Sequence, residues 1–461
     1  MPSTVPDRSH QADVVPRLLQ GHYGLWWSPG CGKTAPLAVA GREAGGPQLW
    51  LTTNATLARQ TAREIIRFRG DSPRVQVLVS GRDKLDPKAD VTVVGIDLAK
   101  SLPVWRQLFA ASWTSLVIDE AHGLASTTTR RTQAVYGATP LAQGALYRRA
   151  GRVWPSTGTP MVNSPSDLWP HISRLWPQVA TPTKAAWEAQ YCVLAPNPFV
   201  PGTSRVVGGR NLEELGRRLA PYSSRISLAE VQPHMPSLST TTLPVEISPE
   251  IRARLDALFA ATDPALLAAL RDALDQMAEE RDSDAAADRA LGALYQPLAS
   301  LRRLLALAKA LPVAEQALAE LEAGADRIVV FGLHTEALRL VADRLSEAPY
   351  NARLLIGDTT SVQRDAAIAA FADGRCRVLV CNIMVGGVGL NLQMCRRLIF
   401  TEAAWTPASN SQAIARCHRA GQSRPVHASF AVVEGTIDQA VLDVLARKAG
   451  MIATFQQELS A

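Results

Sequence analysis

The chain of 461 residues lacks any apolar run approaching the ~18 uncharged residues that a membrane span needs. Its opening, MPSTVPDRSH, also lacks the apolar stretch of a secretory signal. Secretion, membrane insertion and a membrane partner are therefore not expected. Cysteine is scarce: Cys31, Cys192, Cys376, Cys381, Cys395 and Cys417 include no CxxC pair, which argues against a disulfide framework and against a zinc site. Charge of one sign is only slightly in excess, with 48 Lys+Arg against 42 Asp+Glu. That excess is uneven, since residues 1–180 carry 20 basic against 12 acidic side chains. Such a distribution is compatible with a polyanionic partner, although most basic residues on most proteins simply solvate a surface. What is plentiful is apolar residues, 47% of the chain, enough for real cores and too many for disorder. At ~150 residues per domain, the length suggests about three domains.

Short apolar runs alternate with amphipathic stretches from Tyr23 to about Trp176: YGLWW, QLWLTT, RVQVLVS, VTVVGI and SLVIDE. The same rhythm returns from Arg327 as RIVVF, ARLLIG, RVLVCNI, RRLIF and VHASFAVV. This is the pattern of parallel strands covered by helices, and it predicts an α/β protein with two parallel-sheet lobes. Between them lie a Pro-rich stretch and an Ala/Leu-rich segment studded with acids, read as amphipathic helices. TTTLPVEIS, at 240–248, reads as an isolated extended segment. The expected division is a first lobe over 1–176, helical protrusions and linker over 177–325, and a second lobe with a closing helix over 326–461. Trp26, Trp27 and Trp50 fall on predicted strands and are assigned to the core. Trp405, in a strand-to-helix loop, is open to a core or a functional reading.

Three constellations carry chemistry. SPGCGKT (28–34) stands between a predicted strand and a predicted helix. Such a glycine loop, with Gly30 and Gly32, lets backbone N–H groups wrap phosphate oxygens, while Lys33 reaches the β and γ phosphates and Thr34 can hold Mg²⁺. The full pattern wants a glycine six positions before the lysine, where this chain has Trp27. Cys31, between the glycines, is read as a small exposed thiol. The second constellation, SLVIDEAH, places Asp119 and Glu120 at a strand's C-terminal end, where Asp119 can orient hydrated Mg²⁺ and Glu120 can deprotonate an attacking water. The third, QAIARCHRAGQ (412–422), has helical spacing that places Gln412, Arg416 and Arg419 on one face. Arginines presented there can neutralise charge developing in phosphoryl transfer.

With these motifs, STGTPMVNSPSDLW (156–169) and VLVCNIMVGGVGLNLQ (378–393) complete a recognisable order. The chain resembles the helicase-like ATPases of superfamily two, and among them the DEAH-box Swi/Snf-type DNA translocases, over nearly its whole length. VVGIDLAKS, RIVVFGLHTEAL, LIGDTTSVQRDAAIAAF and EGTIDQAVLDVLARK are similar to further segments of that family. The fold the resemblance implies is two RecA-like lobes with a helical insertion between them.

Residue by residue, the resemblance implies that Gln11 contacts adenine, that Lys33 and Thr34 bind phosphate and Mg²⁺, and that Asp119 and Glu120 are the metal-binding and water-activating acids. It implies that His122 links the ATP site to the turn at Thr157, Gly158, Thr159 and Pro160. Gly386, Gly387 and Gly389 would bring backbone close to nucleotide and DNA, and Arg416 and Arg419 would be arginine fingers beside Gln412. Ile383 and Val385 depart from the family's usual Thr or Ser and Ala.

The activity implied is ATP hydrolysis that drives movement along double-stranded or branched DNA in replication, recombination or repair. Grip on phosphates would come from TTNAT (52–56), GIDLAKS, the Thr-Gly-Thr-Pro turn and the Gly386 to Asn391 loop, with Arg130, Arg131, Arg148, Arg149 and Arg152 as further candidates. A strand-separating or branch-migrating helicase stays open, as do an RNA track and a nucleotide-regulated nucleic-acid-binding protein whose ATPase has decayed. A motor without zinc, chromatin-reading or nuclease motifs suggests the cytoplasm of a bacterial or phage-infected cell, with a nucleus left open.

Overall fold

Neighbouring residues of a strand face opposite sides of its sheet, and the pair Trp26 and Trp27 shows it: Trp26 packs into one apolar layer and Trp27 into the other. Both rings are buried, as is Trp50, and burying each contributes about 1.5–3 kcal/mol. Packing thus accounts for all three. The structure is a computed structural model that describes residues 9–139, 144–196, 203–260, 287–386, 390–419 and 421–459. The described residues up to Pro233 and from Lys448 form one unit, and those from His234 to Arg447 form another.

The first unit is built on β1 (Gly24–Trp27), β2 (Gln48–Thr52), β3 (Val75–Leu78), β4 (Val91–Gly95), β5 (Trp113–Asp119) and β6 (Ala150–Ser156). A two-stranded antiparallel hairpin follows, β7 (Cys192–Pro196) with β8 (Ser204–Gly209), and then β9 (Ser223–Ile226). The main sheet runs β3-β4-β2-β5-β6-β1-β9, parallel throughout. Leu49, Leu51, Leu116 and Ile118 bury on one face, and Leu25, Val91, Val93, Val117 and Trp154 on the other. Continuous apolar strands are what two-sided burial requires. Ile452 and Phe455, late in the helix Ile437–Glu458, join the first of these layers.

The second unit contains β10 (Leu238–Pro244), β11 (Ile328–Gly332), β12 (Arg353–Leu355), β13 (Val378–Asn382), β14 (Arg397–Phe400) and β15 (Val426–Val432). They are ordered β10-β15-β14-β11-β13-β12, again all parallel. Ile328 and Val330 face one layer, Val329 and Phe331 the other. The helix Ala287–Glu322 covers the first of these with Leu301, Leu305, Val313 and Leu321.

Every apolar run read as a strand is one. The middle of the chain differs from its helical reading, because β9 joins the first sheet beside β1 and β10 joins the second beside β15. TTTLPVEIS is therefore not isolated: Leu238 pairs with Val426, and the register holds to Pro244 and Val432. The strand β9 and the sheet partner of β10 escaped detection for a physical reason. SSRI is short and polar, and β10 is an edge strand with mostly exposed side chains, held by its backbone rather than by an apolar face.

Candidate functional site

In the first sheet β5, β6 and β1 are neighbours, and each carries a motif at its C-terminal end. In an open parallel sheet, ligands bind outside those ends. β1 leads into SPGCGKT, β5 ends at Asp119, and β6 ends at Ser156 before the Thr157–Thr159 turn. Asp119 pairs in register with Ser156, and Ser156 with Leu25.

The glycine loop turns because Gly30 and Gly32 adopt φ of +88° and +77°, a region side chains rarely enter. It opens directly into the helix Thr34–Ala44, whose first turn leaves backbone N–H groups for an anion. Lys33 Nζ donates to the Trp27 carbonyl at 2.9 Å, which lays the side chain across its own loop. Gln11 is buried in the helix Ser9–Gln20 and donates from Nε2 to the carbonyls of Gly32 at 3.0 Å and Cys31 at 3.3 Å. A Cβ on Gly32 would collide with that amide. Cys31 is a correction: it is fully buried, with its thiol directed at the Ile226 carbonyl at 3.7 Å, so no exposed thiol flanks the loop.

Asp119 is pushed up to about 7, by loss of solvation first and by the Glu120 carboxylate second, with Lys33 opposing both. A buried carboxylate raised by a second one beside it makes a place where a cation is favourable. The hydroxyl of Thr34 and the carboxylate of Asp119 are oxygen donors of the kind Mg²⁺ takes, so the residues fit the ion. Glu120 has φ +54° and ψ +49°, a left-handed conformation that costs a non-glycine residue about 1–3 kcal/mol. His122 Nδ1 lies 3.3 Å from Glu120 Oε2 and 2.9 Å from Thr157 Oγ1. The Thr157 hydroxyl also accepts the N–H of Thr159 at 3.1 Å. Gly158 lies so close to the glycine loop that a Cβ there would stand 2.7 Å from Pro29 Cδ. Gln11, Gly30, Gly32, Lys33, Thr34, Asp119, Glu120, His122, Thr157, Gly158 and Thr159 are thus assembled on one sheet's edge.

In the second unit, the helix Pro407–Ile414 begins at Thr406, whose side chain accepts the N–H of Ser409, and carries Gln412. It ends before the arginines, which corrects the reading of one helical face. Ala415 caps the helix, Cys417 N–H returns to the Ile414 carbonyl, and Arg416 O accepts the N–H of Leu392 at 3.0 Å. Buried Cys417 and the Gln422 amide, which donates to the carbonyls of Gln393, Cys395 and Cys417, pull the chain into turns there. Arg419 Nη1 reaches the Leu390 carbonyl at 3.5 Å. Both arginines are therefore tied by backbone or side chain to Leu390 and Leu392, at the end of the glycine-rich segment 378–393. Gly387 and Gly389 of that motif lie outside the described residues.

Trp405 is accounted for by packing, since the Arg302 guanidinium stacks 3.9 Å from its ring centre. Several candidate phosphate contacts are committed internally: Arg131 makes a two-point pair with Asp97, Arg149 bonds the Ala111 carbonyl and Ser112, and Arg152 bonds the Leu19 carbonyl. A basic face that the sequence reading missed lies on the helix Ala55–Arg69. There Arg59, Arg63 and Arg67 are exposed at four-residue spacing, and among the described residues none forms an ion pair. The spacing was visible in ATLARQTAREIIRFR, which holds a single acid, Glu64. No helix among the described residues is long and apolar enough to cross a membrane.

A glycine loop after one parallel strand, beside an acidic pair after another, defines a P-loop α/β protein. Residues 310–421 match the family described as "Helicase conserved C-terminal domain". The chain is 28% identical over 377 residues to the Xenopus tropicalis SWI/SNF-related matrix-associated actin-dependent regulator of chromatin subfamily A-like protein 1, covering 81% of this chain and 36% of that protein. It is 25% identical over 369 residues to the Mus musculus DNA annealing helicase and endonuclease ZRANB3, covering 79% of this chain and 32% of that protein. The chain thus spans about a third of the length of these relatives. A solved structure, the Sulfolobus solfataricus SWI2/SNF2 ATPase core in complex with dsDNA, aligns with 97% of this chain and 92% of its own, at 18% identity and a TM-score of 0.43. The chain is thus similar to helicase-like proteins of the Swi/Snf type along four fifths of its length.

Proposed function

We propose that this chain hydrolyses ATP with Mg²⁺ under stimulation by double-stranded DNA, and that the cycle moves it along the duplex. The observation that carries the reading is the adjacency of β5, β6 and β1, which puts loop, acids and Thr-Gly-Thr-Pro turn side by side. The loop's N–H groups and Lys33 hold the phosphates, and Gln11, already seated on the loop carbonyls, stands where adenine recognition would report to it. Glu120 takes the proton from the attacking water, and His122 fixes that carboxylate against Thr157. Bound Mg²⁺ held by Thr34 and Asp119 would neutralise charge on the phosphate oxygens. Arg416 and Arg419 are the proposed fingers, and Gly386, Gly387 and Gly389 the close backbone approach.

DNA contact is proposed to be mainly through phosphates, hence weakly selective for sequence. A role in replication, recombination or repair is part of the proposal, supported by the likeness to a DNA annealing helicase and endonuclease; branched DNA is the finer substrate, and the cytoplasm of a bacterial or phage-infected cell is the proposed setting. Displacement of a triplex-forming strand tests the movement. The expected result is ATP-dependent displacement without opening of a forked duplex, whereas fork opening without displacement would favour strand separation.

A further inference from the structure

His10 carries none of the roles assigned so far, yet its ring meets the phosphate loop at two places. It is the second residue of the helix Ser9–Gln20. Its imidazole leans on the Trp27 ring, with centroids 5.1 Å apart and planes tilted by 56°. Trp27 is fixed in turn, fully buried and donating from Nε1 to Ser224 Oγ on β9 at 2.9 Å. With the imidazole so held, its Nε2 lies 3.1 Å from the Cys31 carbonyl. A carbonyl oxygen only accepts, so this nitrogen carries a proton and donates it.

The Cys31 oxygen thus receives two donors from adjacent residues of one helix, His10 and Gln11. The Gly32 oxygen receives Gln11 and, at 3.3 Å, the N–H of Ala35. A trans peptide is planar, and its C=O and N–H point opposite ways. Holding the Cys31 carbonyl therefore aims the Gly32 N–H away from the helix Ser9–Gln20, and holding the Gly32 carbonyl does the same for the Lys33 N–H. Among the described residues neither N–H meets a backbone acceptor. Both are donors of the kind that cradle a phosphate at the start of a helix. Gly32, at φ +77°, has no side chain to restrain the two peptides it joins, so their aim is set by what grips the carbonyls.

We propose that His10 is a positioning residue of the nucleotide site, whose Nε2–H fixes the Cys31–Gly32 peptide so that the Gly32 N–H meets a phosphate oxygen. The inference rests on the ATP-binding reading and deepens it, because it makes His10 serve the phosphates and not the base.

The test compares His10→Phe, which keeps a ring against Trp27 and loses the donor, with His10→Gln, whose amide donates again. Affinities for Mg-ADP and for Mg-pyrophosphate are measured by competition with a fluorescent ADP analogue, with ATP turnover on duplex DNA alongside. His10→Phe is expected to bind ADP and pyrophosphate about fivefold more weakly, the worth of one hydrogen bond. KM for ATP should rise by about the same factor with kcat within roughly twofold of the parent, since the loop holds ground state and transition state alike. His10→Gln should recover most of the loss. Parental pyrophosphate affinity in His10→Phe would overturn the proposal even if ADP affinity fell, because a loss confined to ADP would place His10 at the base. Equal losses in the two variants would also overturn it, by making the packing of the ring the cause. A parent that binds both ligands without turning over ATP would remove the hydrolysis reading and leave the affinities to judge His10, whereas a parent that binds neither would remove both.

Discussion

The Nδ1 of His122 lies 2.9 Å from the hydroxyl of Thr157, joining the turn after the acidic pair to the turn after β6. The same hydroxyl receives the Thr159 N–H, so one oxygen ties three residues. Replacing it by Thr157→Val strands a half-buried N–H and frees the imidazole, at a cost of about 1 kcal/mol. Urea unfolding should show that loss. The ratio of DNA-stimulated to unstimulated ATP turnover should fall about tenfold, while an unchanged ratio would mean that the contact carries no coupling.

Gly158 and Pro29 make a second tie. The Cβ of Gly158→Ala would stand 2.7 Å from Pro29 Cδ and 3.3 Å from Pro29 N, atoms of a ring and a backbone that cannot swing aside. Destabilisation of about 1–3 kcal/mol is expected, with a raised KM for ATP because the phosphate loop must shift. Parental stability and KM together would show that the turn and the loop are not in register contact.

His171 also gives the fold an acid sensitivity. The folded ring holds near 3, against 6.5 for the free side chain. Below 6.5 the unfolded chain takes up a proton that the folded one refuses, so the unfolded state binds more protons and stability falls as pH falls. The slope is roughly 1.4 kcal/mol per pH unit while it lasts. Unfolding free energies between pH 7 and about 4 should therefore decline less steeply in His171→Gln, by up to one proton. Parallel curves would contradict a neutral buried imidazole.

Arg59, Arg63 and Arg67 provide a test of the phosphate track that leaves the ATP site alone. If all three touch DNA, Arg→Gln at the three positions should lower the slope of log affinity against log salt by about 2.7, at ~0.9 for each phosphate contact. Weaker affinity should appear equally on unrelated duplex sequences. An unchanged slope would assign this helix face to solvent.

The strands that bury both faces were legible because they had to be apolar throughout, and the motifs at their ends followed from the strand positions. Edge strands were less so: β9 is four residues of SSRI, and β10, legible as extended, hid its sheet partner because its threonines are exposed. The site's backbone ties were equally hidden, since the seat of Gln11 on Gly32 and the approach of Gly158 to Pro29 depend on sheet order. Helical spacing misled at Arg416 and Arg419, because the pull of buried Cys417 and of the Gln422 amide ends the helix at Ile414. Charge counting could not show that Arg131, Arg149 and Arg152 have internal partners.

The most direct measurement is ATP turnover without nucleic acid and with single-stranded DNA, duplex DNA and RNA, alongside Glu120→Gln. Strong stimulation by duplex DNA, abolished by Glu120→Gln, is the expected result. Turnover that is absent on every nucleic acid, or that survives Glu120→Gln, would contradict the account.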